Sequence, residues 1–99
     1  MILYAVDLDL DAALAPEYLP WLRGHVRAML ALPGFAGAQI LEQLEPSPAG
    51  RILYSVHYCL PDLAAYEAYL RDYAPRMRAA DARFADRVHA SRSVLRELE

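Results

Sequence analysis

The chain is 99 residues long and 57% apolar, with a formal net charge of −3; that fits one domain, residues 1–99, burying roughly 65% of its unfolded surface. No apolar run approaches the ~18 residues of a spanning helix, and Met1-Ile2-Leu3-Tyr4 carries no basic leader before Asp7, so neither a membrane span nor a secretory signal is expected. Residues 1–61 hold three arginines against six acids and residues 62–99 seven against seven, which leaves no basic region for nucleic acid.

Residues 2–10 put Ile2, Tyr4, Val6, Leu8 and Leu10 on one face, the period-two pattern of a strand. Asp11 to Pro16 leads into a helix, where Pro16 suits the first turn and Glu17 the positive end of the dipole. Leu19, Leu22, Val26, Met29 and Leu30 recur at helical spacing until Pro33-Gly34 stops the run. Pro20 is placed in or near the first turn, where its missing N–H does no harm. A second strand is read over 35–45, weakened by Gly37 and two alanines, and followed by an irregular loop from Glu45 to Gly50.

Residues 51–60 give the clearest strand. Ile52, Tyr54, Val56, Tyr58 and Leu60 line one face; Leu53, Ser55, His57 and Cys59 line the other. Pro61-Asp62 opens a helix whose core stripe reads Leu63, Tyr66, Leu70 and Tyr73, with Tyr69 at its edge. Pro75 forces a break near Tyr73-Ala74, and a further helical segment runs through Met77 and Phe84. Residues 87–95 form the last strand, with either face free to meet the helices.

The order strand, helix, strand, strand, helix, strand predicts an α+β ferredoxin-like βαββαβ sandwich: a four-stranded antiparallel sheet with helices on one face. ILYAV at 2–6 and ILYSV at 52–56 echo one another at the head of each half, in keeping with two related βαβ units. The helix-free face then presents Leu3, Ala5, Asp7 and Asp9 beside Leu53, Ser55, His57 and Cys59. So mixed a surface calls for a cover, and a second copy of the same sheet is the simplest one. Two facing sheets would enclose a barrel-like cavity for a small molecule.

A whole-chain resemblance points the same way. Met1-Ile2-Leu3-Tyr4, Trp21-Leu22, His25-Val26, Gly34-Phe35, Tyr54-Ser55-Val56-His57-Tyr58, Tyr66, Tyr69-Leu70, Ala74-Pro75-Arg76-Met77-Arg78, Phe84, Arg87 and Val94-Leu95 resemble, in order and spacing, a bacterial domain-of-unknown-function family, number forty-two eighty-six. That family resembles the dimeric α/β-barrel superfamily, which includes cofactor-independent antibiotic-biosynthesis-type monooxygenases, haem-degrading relatives, muconolactone-isomerase-like enzymes and stress-responsive barrels. The resemblance implies the fold and a homodimer. It implies no particular reaction, because one fold hosts many.

Six residues stand out as candidates. His57 and Asp7 hold the same offset in the two halves, on strands expected to be neighbours, and an imidazole beside a carboxylate can act as a general base; the alternative is a pair of polar interface residues. Ser55 joins them as an orienting group. Trp21 and His25, four apart, share a helical face and can stack on an aromatic or quinone-like ligand, or simply pack. Arg92 either enters the cavity to hold a carboxylate or joins Arg71, Arg76, Arg78, Arg83, Arg87 and Arg96 in a solvated face.

Other chemistry finds little footing. Asp7, Asp9 and Asp11 begin like a calcium loop, but Ala12 stands where the glycine belongs and Tyr18 where the bidentate acid belongs. The histidines at 25, 57 and 89 make no His-x-x-x-His pair for zinc or non-haem iron. A lone histidine can hold haem iron, yet nothing else points to a metal, and no cofactor is expected. Cys59 excludes an internal disulfide, fits a reducing cytoplasm and reads as a small buried hydrophobe. Ten arginines without one lysine, beside eighteen alanines, read as codon bias rather than selection for forked hydrogen bonding.

The sequence therefore predicts a cytoplasmic homodimer that binds a small apolar or aromatic molecule. Cofactor-independent oxygenation or isomerisation by His57 or His25 is the enzymatic alternative, and a scaffold or regulatory dimer the third. A polar pair within hydrogen-bond reach inside a cavity favours chemistry; a filled barrel and an apolar patch on the helices favour the scaffold.

Overall fold

The computed structural model describes residues 1–99. Its shortest dimension is 17 Å, the depth of two layers, so a single sheet carries helices on one side only. The strands are β1 (Ile2–Asp11), β2 (Gly37–Glu42), β3 (Arg51–Leu60) and β4 (Val88–Arg96); the helices are α1 (Ala15–Leu30), α2 (Leu63–Asp72) and α3 (Ala74–Ala79). The sheet order is β2-β3-β1-β4, antiparallel throughout. This is the expected βαββαβ sandwich.

Alternation in β1 sets the layering. Ile2, Tyr4, Leu8 and Leu10 are buried beneath the helices, and their β3 partners Leu60, Tyr58, Tyr54 and Ile52 stand on the same face. Because side chains alternate with period two, Asp7 and Asp9 must then face away. Ala5 also faces away, yet it is buried between His57 and Ser93 across the two ladders.

The helix ends follow their caps. The Asp11 carboxylate accepts a hydrogen bond from the Ala13 N–H (2.9 Å) and opens a 3₁₀ turn, Ala12–Leu14, that leads into α1. The Asp62 carboxylate does the same for the Ala65 N–H (2.9 Å) at the start of α2. Tyr73, at φ −130°, separates α2 from α3, and Pro75 sits in the first turn of α3, where its lost N–H was unpaired in any case. A 3₁₀ turn, Ala82–Phe84, carries Phe84 into the core.

Three expectations need correcting. Pro20 lies inside α1, a turn beyond its start; its exposed side tolerates a Pro16 carbonyl left without an N–H donor. Tyr69, not Tyr66 or Tyr73, is the buried residue of α2, while Leu63 is exposed. The break at Tyr73 tilts the stripe, so the residue placed at its edge becomes its centre. The second strand is also shorter than 35–45, ending at Glu42.

Candidate functional site

The apolar cleft of the chain lies on the helix side of the sheet. It is a narrow cleft of about 40 Å³ between α1, α3 and the middle of β1 and β3, and 11 of its 15 lining residues are hydrophobic. Two aromatic groups flank it. Tyr18, Trp21, His25 and Phe84 form one, with the Trp21 and His25 rings stacked at 4.9 Å and 15° and Phe84 edge-on to Tyr18 at 5.0 Å. Tyr4, Tyr58, Tyr66 and Tyr69 form the other, with all three partners within 5.8 Å of the Tyr4 ring.

The polar groups of the cleft sit at its exposed rim. Arg92 of β4 stands opposite Val6 of β1, which puts its side chain on the helix face. The Arg78 Nη2 donates to the Tyr4 hydroxyl at 3.2 Å. Asp81 completes the rim. Burial pushes the phenols of Tyr18, Tyr58 and Tyr69 well above their ordinary range, so near neutral pH they are protonated donors and not bases. Burial also pushes the His25 imidazole down, partly offset by the Asp81 carboxylate. His25 is therefore neutral at pH 7 and able to accept a proton.

The six sequence candidates divide between two faces. Trp21, His25 and Arg92 meet in the cleft. Asp7 and Ser55 lie on the opposite face, where the Ser55 hydroxyl donates to the Asp7 carboxylate at 2.7 Å, and both line a polar groove of about 210 Å³ with Asp9, Gln43, His89 and Ser91. His57 is on that face too, opposite Ala5 and Gln39 and two pairs along from Asp7, and makes no hydrogen bond to it. The two halves of the proposed acid–base pair are not joined within the chain. The cleft within the chain lies on the other side of the sheet from the open face, because the even positions that line it belong to the helix-facing set.

Arg78, Asp81, Tyr18 and Met77 were missed as cleft residues. Arg78 follows the buried Ala74 by four, Asp81 follows the buried Met77 by four, and Tyr18 precedes the buried Leu22 by four. The i, i+4 rule thus placed all three on inward faces; the count of seven arginines in the second half masked it for Arg78.

The helix-side position of the cleft can be set beside known proteins. Residues 1–98 match a family described as a domain of unknown function, DUF4286. No curated protein gives a significant match. Among solved structures, a candidate antibiotic biosynthesis monooxygenase of Deinococcus radiodurans is 17% identical, with a TM-score of 0.76 over 100% of this chain and 94% of that one. SnoaB, a cofactor-independent oxygenase of Streptomyces nogalater, is 11% identical, with a TM-score of 0.73 over 99% and 94%. A variant of MhuD with two manganese protoporphyrin IX molecules bound per active site is 19% identical, with a TM-score of 0.70 over 100% and 96%. At these identities the likeness is one of fold.

Proposed function

The chain belongs to the DUF4286 family, and on that footing we propose that it binds a small, flat, apolar or aromatic molecule in the cleft between α1, α3 and the sheet. The observation that carries this reading is the lining itself: Tyr18, Trp21 and His25 from one aromatic group and Tyr4, Tyr58 and Tyr69 from the other line a slot whose charged residues stand at the rim. Such a makeup, apolar walls with few polar groups, is that of small-molecule sites. The slot, open at its rim, has a volume of about 40 Å³, whereas a cavity of about 150 Å³ is known to take up benzene. Binding therefore displaces the unbranched side chains of Met29, Met77 and Arg78, which adapt at low cost. Trp21 is the only tryptophan, so its fluorescence reports occupancy. Quenching by planar aromatic compounds that also raise the melting temperature supports the reading; a broad set that does neither overturns it.

A second reading, cofactor-independent oxygenation or isomerisation, is favoured by one observation, the neutral imidazole of His25 in this cleft. There it would take a proton from an acidic C–H or O–H of the bound ligand. Turnover that disappears in His25→Ala while binding persists supports it.

The homodimer is part of the same proposal. Leu41 of β2 and Leu95 of β4, both exposed, point to the helix-free face with Leu3 and Leu53, and burying them against a second sheet removes apolar surface from water. Sedimentation as 22 kDa particles would agree with it, being about twice the 11.1 kDa chain.

A further inference from the structure

We infer that the ligand of the cleft is an aromatic acid, its ring between the Trp21 and Tyr58 sides and its carboxylate held at the rim by Arg78 and Arg92. This rests on the reading of the cleft as a small-molecule site and names the class of molecule. Arg78 and Arg92 both line the cleft and both are exposed, so their guanidiniums stand at its mouth. Neither has a carboxylate within ion-pair distance; the chain's salt bridges are Arg51 to Asp9 and Arg71 to Asp72. The Tyr4 hydroxyl accepts from Arg78 and leaves most of the guanidinium's donors free, since the group carries five.

The charge at the mouth is uneven in a useful way. Two guanidiniums face one carboxylate, Asp81, in a chain whose net charge is −3. Asp81 acts on Tyr18 and His25, at one end. Arg78 acts on Tyr66 and Tyr69 at the other, and Arg92 acts on Tyr58, Tyr66 and Tyr69 there and also on Tyr18. An anion is thus drawn to the two guanidiniums, and the one carboxylate, beside Tyr18 and His25, leaves the indole and imidazole faces for the ring. The protonated phenols add neutral donors to the same end. Planar, forked recognition of a carboxylate is what paired guanidiniums do best.

The test uses three compounds that share one ring and differ in one group: benzoate, benzyl alcohol and benzylammonium, titrated into the full chain by calorimetry and by Trp21 fluorescence. Benzoate is expected to bind at least about tenfold more tightly than benzyl alcohol, and benzylammonium more weakly than either. Arg78→Gln and Arg92→Gln should each weaken benzoate about tenfold and leave benzyl alcohol unchanged, while Arg51→Gln, on the other face, alters neither. Equal binding of benzoate and benzyl alcohol overturns this inference and leaves the aromatic cleft standing. A benzoate preference that survives the double variant overturns the assignment to these two arginines. Failure of all three compounds to bind overturns both readings.

Discussion

Ser55 donates a 2.7 Å hydrogen bond to Asp7 across the central pair of strands, so the side-chain partner of that carboxylate within the chain is Ser55 and not His57. The two residues face each other in register, whereas His57 sits two pairs away, opposite Ala5. A general base on this face is therefore expected to contribute nothing to binding in the cleft. His57→Ala should leave Trp21 quenching by any ligand unchanged, and Ser55→Ala should cost about 1 kcal/mol in urea unfolding through the lost bond.

His25 makes stability depend on pH. Burial lowers its folded-state pKa below the ordinary 6.5, so between those two values the unfolded chain binds more protons than the folded one. The contribution is fully present above about pH 6.5 and is lost as pH falls toward the folded value. The urea midpoint should drop on acidification from pH 7 with a steeper slope than in His25→Gln. Imidazole NMR should place the His25 titration below 6.5.

Phe84 packs behind two cleft residues from a single 3₁₀ turn, with Tyr18 and Trp21 on its ring and the Arg83 guanidinium over it at 4.5 Å. It is among the largest fully buried side chains. Phe84→Ala should cost about 3–5 kcal/mol, read as a fall in the urea midpoint, and should loosen the Tyr18 and Trp21 rings that pack on it, read as a shift in Trp21 fluorescence.

Two glycines separate backbone strain from crowding. Gly34 and Gly50 have φ of 88° and 76°, and alanine at either position costs about 1 kcal/mol in conformation alone. A Cβ on Gly34 would also meet the Ala65 Cβ at 3.1 Å, whereas one on Gly50 meets nothing. Gly34→Ala should therefore be the more destabilising of the two by thermal melt, because α2 must shift to admit it.

The open face gives the last expectation. Leu53→Arg and Leu95→Arg place charge where the second sheet would lie, and each should convert 22 kDa particles to single 11.1 kDa chains without unfolding them. Sedimentation velocity with circular dichroism reads both.

Local order was written in the residues themselves. The period-two runs of β1 and β3, the caps Asp11 and Asp62, and the interruptions at Gly34 and Pro75 act over a few neighbours, and each appears where the spacing placed it, because steric and hydrogen-bonding rules of that range need no other part of the chain. The shared helical face of Trp21 and His25 was legible for the same reason. What lay beyond the sequence was everything set by register and by the joining of distant elements. Arg92 had two possible faces until its pairing with Val6 chose one; Asp7, read as the partner of His57, bonds instead to Ser55, which the register sets opposite it. Arg78 became a rim residue only when the turn at Tyr73 swung α3 over Tyr4, 74 positions away in sequence. A cleft is a space between elements, and its location is a property of packing: the alternation that buries Tyr4, Tyr54 and Tyr58 names the face, but only the docked helices leave a gap in it.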